Sequence, residues 1–367
     1  MKILFVTPVV PSNSFGGGVY TNSIIKAFKS LLPGVKIDLL VLSDHRKKKS
    51  RFLRILVSFF NYIFSGVPIT VGYHRAFIDC ERIKSYVAPY DLIVVDHLES
   101  GQVMIDAGVT DYIYVAHNIE HQLLISKLLV LLETPFKYFV NGVVLNLKKY
   151  EDDFLSNSEG VVSISKDDAE YIASLNGNVE VVYPLFDDAR CERMPHSSEE
   201  IVIGFLGGSN WHANRLAVME IYRNILPEIN RPFRFFLAGS GWEEYVADKN
   251  IDNDLIKRTT FLGYLDSLKP FWSSIDVFLS PILTGAGTNI KVCEALYHSV
   301  PVFGSRHSFR GLDDHILNMS DIFIGDSHEL ALKLNSCKSF KYFDVSSAFK
   351  IDPATQAIGR ILNKKII

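Results

Sequence analysis

Residues 275–305 read IDVFLSPILTGAGTNIKVCEALYHSVPVFGS, and this stretch decides the fold. A short run of apolar and β-branched residues stops at Ser280-Pro281. The small-residue loop Gly285-Ala286-Gly287-Thr288 follows, and from Asn289 to about His298 the apolar positions recur at helical spacing. VPVFGS, residues 300–305, is a second strand-like run. Strand, helix and strand in that order make a parallel crossover unit, and the glycine loop stands where the helix begins.

The same alternation extends to both sides. Upstream lie IVIGFLGG (201–208), a helix over roughly 213–229, FRFFLAG (233–239) and TTFLGY (259–264). The first half repeats the pattern with KILFVTP, KIDLLVLS, DLIVVD (91–96), YIYVAH (112–117), VVSIS (161–165) and VEVVYP (179–184). Continuous apolar strands separated by helix-length segments predict α/β domains whose parallel sheets are covered on both faces. Residues 185–199, LFDDARCERMPHSSE, break the pattern and read as a linker. The expected division is an N-terminal domain over 1–184, a C-terminal domain over 200–345, and a helix in 346–367 packing back towards the N-terminal domain. Two such domains place a cleft between the carboxyl ends of their strands, where open α/β sheets bind ligands.

Composition agrees with two folded cores: 367 residues, 48% hydrophobic and 22% charged. The net charge of −3 argues against a nucleic-acid binder. Cys80, Cys191, Cys293 and Cys337 form no CxxC pair, which argues against a disulfide scaffold or structural zinc and fits a reducing cytoplasm. MKILFVTPVVPSN reads as a buried first strand, because the apolar run is short and lacks a small-residue cleavage pattern. No window offers 18 uninterrupted apolar residues for a spanning helix.

The segment at about 45–65 is different in kind. RKKKSRFLR (46–54) holds six cations and no acid, and FLRILVSFFNYIF (52–64) runs on from it with four of the 25 phenylalanines. Cations beside a short aromatic amphipathic helix suit an anionic membrane surface, at up to ~1 kcal/mol per basic residue. A solvated basic loop beside a core helix is the plainer alternative. LLISKLLVLL (123–132) with FKYFVNGVVLNLKKY (136–150) is a second apolar region of the same half.

Three segments carry candidate chemistry. FGGGVY places Gly17 and Gly18 between the first strand and its helix, where open amides receive phosphate oxygens, although it is neither GxGxxG nor a P-loop. His117 ends a strand in AHNIEH with Asn118 and Glu120 behind it, and Asp96, His97 and Glu99 form a similar strand-end cluster. Asp96, His97, Glu99, Asn118 and Glu120 are expected to line the acceptor side and His117 to bind a substrate hydroxyl or phosphate, without metal-ligand spacing. In GAGTNIKVCE, Lys291 and Glu294 share a helix face beside the glycine loop. Lys291 suits a diphosphate and Glu294 a ribose diol.

The segments GFLGGSNWHANRLAVMEIYRNILPEI, FRFFLAGSG, FLGYLDSLKPFWSSIDVFLSPI and GAGTNIKVCEALYHSVPVFGS resemble the nucleotide-sugar domain of family 4 retaining glycosyltransferases, in the GT-B architecture of two Rossmann-like domains. TPVVPSNSFGGGVYTNSIIKAF and VAHNIE are similar to the same family's acceptor domain. The resemblance implies that Gly17-Gly18 approach the donor diphosphate and that His117 contacts the transferred sugar. It also implies that Glu294, the second carboxylate of an E-x7-E pattern, holds the ribose. The first carboxylate position is Ala286, so Gly287, Thr288 and Asn289 of the GxGTxxK form are expected to take over its contacts. Gly208 and Arg215 would join the donor site, with Lys291 the stronger cation.

The implied reaction moves a sugar from a UDP- or GDP-sugar to a glycan hydroxyl with retention of configuration, His117, Lys291 and Glu294 serving catalysis. No cofactor or metal is expected, since Asp187-Asp188 and Asp313-Asp314 do not form a DxD pair beside the loops. The acceptor expected is a polyprenyl-linked or other lipid-linked oligosaccharide, in cell-surface polysaccharide assembly on the cytoplasmic face of the membrane. A nucleotide-sugar epimerase of related fold and a non-catalytic sugar-nucleotide-binding protein at the membrane are the alternatives. A nicotinamide oxidoreductase is disfavoured by the missing dinucleotide glycines.

Overall fold

A computed structural model describes residues 1–12, 15–132, 137–186, 190–191, 200–337 and 344–366. Most of the expected linker at 185–199, with Asp187 and Asp188, lies outside the described residues. The chain forms two compact units. The first comprises Met1–Leu185, Ala286–Thr288 and Ile351–Ile367, and the second Phe186–Gly285 with Asn289–Lys350.

The first unit is built on β1 (Lys2–Thr7), β2 (Lys36–Val41), β3 (Leu92–Asp96), β4 (Ile113–Ala116), β5 (Gly160–Ser163) and β6 (Val179–Val181). The strands are all parallel and lie in the order β2-β1-β3-β4-β5-β6. β3, β4 and β5 are buried along their whole length, so they read as unbroken apolar runs rather than alternating ones. Leu4, Val6, Val95, Tyr114 and Phe154 lie in one apolar core. The C-terminal helix Ile351–Ile366 belongs to this unit: it packs against the helix Gly16–Leu31 and buries Ala354, Ala357, Ile358 and Ile361. Arg360 makes a two-pronged pair with Glu180 at 2.9 and 2.8 Å.

The second unit holds β7 (Ile201–Leu206), β8 (Phe233–Ala238), β9 (Thr259–Gly263), β10 (Val277–Ser280), β11 (Val302–Gly304) and β12 (Ile322–Ile324). Their order is β12-β11-β10-β7-β8-β9, again parallel, with the direction of winding reversing between β10 and β7. The expected helix over 213–229 is His212–Glu220, followed by a wide turn at Ile221–Ile225 and a tight one at Leu226–Glu228. Pro227 has no N–H to donate, so the regular ladder stops ahead of it. Phe205, Phe235, Trp242 and Leu279 centre this unit's core.

The basic-aromatic segment is the helix Arg51–Ser65, started by Ser50 accepting the Leu53 N–H at 3.3 Å and stopped by Gly66 at φ 66°. Among its residues Ser58 is buried, lying against Gly72 of the helix Ile69–Arg75. Phe52, Ile55, Phe59, Phe60, Ile63 and Phe64 are exposed. Of the six cations, Arg46 donates to the His74 carbonyl and Arg54 lies 3.7 Å above the Tyr73 ring, while Lys47, Lys48, Lys49 and Arg51 are exposed. Asn146, from the helix Lys137–Ser156, donates to the Gly66 carbonyl at 2.8 Å, and the same helix exposes Tyr138, Phe139 and Leu145. Among the described residues no helix is long and apolar enough to cross a membrane.

Candidate functional site

In the first unit, β3 ends on Asp96 and β4 is followed by His117, and the Gly16–Leu31 helix starts beside them. Gly17, Asp96, His97 and His117 are thereby brought together. The fully buried Asp96 carboxylate has Oδ1 2.7 Å from His117 Nε2 and Oδ2 3.0 Å from His97 Nδ1. Thr21 Oγ1 donates to Oδ2 at 2.9 Å. The two imidazoles stack with centroids 3.6 Å apart, and Tyr20 meets His117 edge-on at 5.0 Å. His97 has φ 62°, a value costly for a non-glycine residue. A Cβ on Gly17 would lie 3.6 Å from His97 Nε2. One on Gly18 would fall 2.1 Å from the Ser12 carbonyl oxygen, so the loop closes there only around a glycine.

The protons of this cluster are sorted by position. Burial raises the Asp96 carboxyl, but His97 and His117 outweigh it and hold the group well below the usual carboxylate range. Burial lowers His97, yet Asp96 prevails and lifts it to about 9. Burial and then the His97 charge lower His117 against the pull of Asp96. At neutral pH the set is a carboxylate, an imidazolium and a neutral imidazole. With Nε2–H donated to Asp96, His117 keeps Nδ1 as an acceptor. Asp96, His97 and His117 offer ligand atoms within 4.8 Å of one another, with both carboxylate oxygens engaged by the two rings and Thr21.

Behind His117, Asn118 Nδ2 donates to Glu120 Oε1 at 3.3 Å. Burial, then Glu99 and Glu151, push Glu120 up to about 8. Glu151 is a residue that sequence reasoning missed. It accepts the Glu120 N–H at 2.6 Å and the His121 N–H at 3.1 Å, with His121 Nδ1 at 2.7 Å, capping the helix Glu120–Leu132. A signal existed: Glu151 stands in register with Val144, Leu147, Phe154 and Leu155 on the buried stripe of its helix.

In the second unit the turn after β7 is held by Gly207 N–H donating to Ala238 O at 2.9 Å and Trp242 Nε1–H donating to Gly207 O at 2.6 Å. Lys291 Nζ donates to Asn214 Oδ1 at 2.5 Å, and Asn214 Nδ2 donates to Gly208 O at 2.8 Å, so Gly208 and Lys291 share one network. Burial, then the charge of Arg310, lowers Lys291 to about 8. Asn289 precedes the helix Ile290–Tyr297, which carries Lys291 and Glu294, and its Nδ2 donates to Ser280 Oγ at 3.3 Å. Arg215 instead donates to the Asn210 carbonyl at 3.2 Å and lies over the Tyr245 ring. Gly287, at φ 63°, and the buried Thr288 lie in the stretch grouped with the first unit.

Glycine turns and a cation at the carboxyl ends of a parallel sheet suit a phosphorylated ligand. Residues 200–337 match the family described as glycosyl transferases group 1. Apart from Ala286–Thr288, the match falls within the second unit and takes in its sheet from β7 to β12. No curated protein matches the chain. Among solved structures the chain is similar to the lipopolysaccharide outer core galactosyltransferase WaaB in its apo form, at 13% identity and TM-score 0.65, covering 100% of both chains. WaaG, a glycosyltransferase involved in lipopolysaccharide biosynthesis, is similar at 10% identity and TM-score 0.60, covering 98% of this chain and 94% of that one. HepE from Anabaena, in complex with UDP and glucose, is similar at 16% identity and TM-score 0.56, covering 99% and 95%. The two parallel sheets are those of the GT-B fold.

Proposed function

We propose that the protein is a retaining glycosyltransferase that moves a sugar from a UDP- or GDP-sugar to a hydroxyl of a lipid-linked glycan. The observation that carries this reading is the Gly207-Gly208 turn joined to Lys291 through Asn214, inside the stretch that matches the group 1 transferases. A turn of bare glycine backbone and an ammonium beside it are suited to the negative charge that develops as the nucleoside diphosphate departs, which is the costly event. Glu294, one helical turn from Lys291, would receive the ribose hydroxyls. In the first unit, the amides at Gly17-Gly18 and the His97 imidazolium suit an anionic group, and His117 Nδ1 accepts a hydrogen bond from a sugar hydroxyl. Asp96 fixes both rings for those tasks. The leaving phosphate itself takes the acceptor's proton, so attack proceeds on the face the diphosphate leaves. Built-in cations make the reaction independent of a metal ion in this scheme.

Relatives named for lipopolysaccharide synthesis support a cell-surface glycan as product. The exposed apolar face of Arg51–Ser65, with four exposed cations at its start, supports an acceptor met at the inner face of an anionic membrane. A screen of UDP- and GDP-sugars against membrane-extracted polyprenyl-linked oligosaccharides tests the whole reading. The expected product keeps the donor's anomeric configuration, and its rate is unchanged by chelator. An inverted product, or an epimerised donor with no glycan extended, overturns it.

A further inference from the structure

We propose that Arg310 is a second diphosphate-binding cation of the donor site, acting with Lys291; this rests on the nucleotide-sugar reading above. β7 and β10 are neighbours, and the sheet's winding reverses between them, which is where α/β sheets take their ligands. Each strand is followed by a glycine of positive φ, Gly207 at 144° and Gly285 at 135°. Over each glycine lies a cationic head. A Cβ on Gly207 would stand 2.7 Å from Lys291 Nζ, and one on Gly285 would stand 2.9 Å from Arg310 Nη2. The two positions thus repeat one device: a bare backbone at the strand's end with a cation laid on it. Only one of the pair was visible as a motif.

Arg310 is held in place by the turn Arg306–Phe309 that follows β11. Buried Ser308 accepts the Ile282 N–H at 3.1 Å and donates to the Ser280 carbonyl, tying the turn to the end of β10. Ser305 N–H also donates to that carbonyl, at 3.3 Å. A Cβ on Gly304 would lie 2.3 Å from the same oxygen, so only glycine lets β11 approach so closely. From this fixed turn Arg310 Nη1 donates to the His307 carbonyl at 2.9 Å, and Nη2 reaches Gly285.

The electrostatics agree with the geometry. Beyond burial, the Arg310 charge lowers both Lys291 and His307. Two like charges brought this close repel until an anion comes between them, and a diphosphate is the anion this strand-end loop is shaped to take. The guanidinium fork pairs with two phosphate oxygens at once, which the single ammonium of Lys291 cannot do.

Calorimetric titration of the full chain with UDP, GDP, uridine and guanosine tests this, using wild type, Arg310→Gln and Arg310→Lys. Arg310→Gln is expected to weaken the preferred nucleoside diphosphate by about tenfold to a hundredfold while leaving the bare nucleoside unchanged. Arg310→Lys, which keeps the charge but not the fork, should recover part of the loss. It also carries the test alone if the Gln variant does not fold. Diphosphate binding equal to wild type in the folded variants overturns the role of Arg310 and leaves the donor reading standing. A wild type that binds neither diphosphate overturns the donor reading itself.

Discussion

At the scale of single residues, the first unit's cluster depends on which group carries the proton. His97, lifted to about 9 by Asp96 against its own burial, holds its charge where an ordinary histidine has lost it, and Glu99 and Glu120 add to that pull. His117, lowered by burial and by His97, is neutral where an ordinary histidine is half charged. A group raised in the folded state stabilises fully below its unfolded pKa of about 6.5. For His97 that stabilisation, on the order of 3 kcal/mol, is lost as pH rises through about 9. Titration of assigned histidine ring resonances is expected to show His97 protonated up to about pH 9 and His117 neutral well before it. Equal midpoints for the two rings refute the assignment. In sequence, Asp96, His97 and His117 were legible because they end apolar strands. Arg310 and Glu151 were not singled out, because what each touches is fixed by chain segments far away in sequence. Glu151 at least left the trace of an acid on an apolar helix stripe.

Secondary-structure elements were legible in proportion to their length and burial. The runs from KILFVTP to VPVFGS announced eleven strands, but β12 is only Ile322–Ile324, set between Ser320-Asp321 and Gly325-Asp326, and too short to show a period. The break at Pro227 is local chemistry that helical spacing alone does not reveal. The helix Arg51–Ser65 was legible in its composition, yet not in how its cations divide. Arg46 and Arg54 are engaged with the segment around Tyr73 and His74, leaving four for a membrane. Changing Lys47, Lys48, Lys49 and Arg51 to Gln is expected to reduce partition onto anionic vesicles by about tenfold or more, given ~1 kcal/mol for each charge at the surface. Cosedimentation with vesicles measures it, and an unchanged bound fraction would sink the membrane role.

On the scale of the whole molecule, the first unit is discontinuous in sequence. Its sheet is formed by residues 2–181, but Ala354, Ala357, Ile358 and Ile361 arrive from the far end of the second unit's sequence. Ile361 Cγ2 lies so near Gly160 that a Cβ there would be 2.6 Å away, and the Ile361 carbonyl accepts from Asn178 at 3.2 Å. Burying two isoleucines contributes roughly 3–6 kcal/mol, a large part of a domain's net stability. A fragment of residues 1–185 is therefore expected to lack a cooperative thermal transition by circular dichroism, and a peptide of residues 346–366 added in trans should restore one. A sharp transition in the fragment alone would show the helix to be dispensable. The arrangement also sets an order of assembly during translation. A ribosome delivers the first unit's sheet early but its closing helix only after the second unit's sequence has emerged, at roughly 5–20 residues per second. For a wait on the order of ten seconds, the half begun first stays open along the face that will bury Ile358 and Ile361. The nascent chain thus exposes a greasy seam that a holding chaperone would recognise, and the unit bearing His117 is the last to be completed.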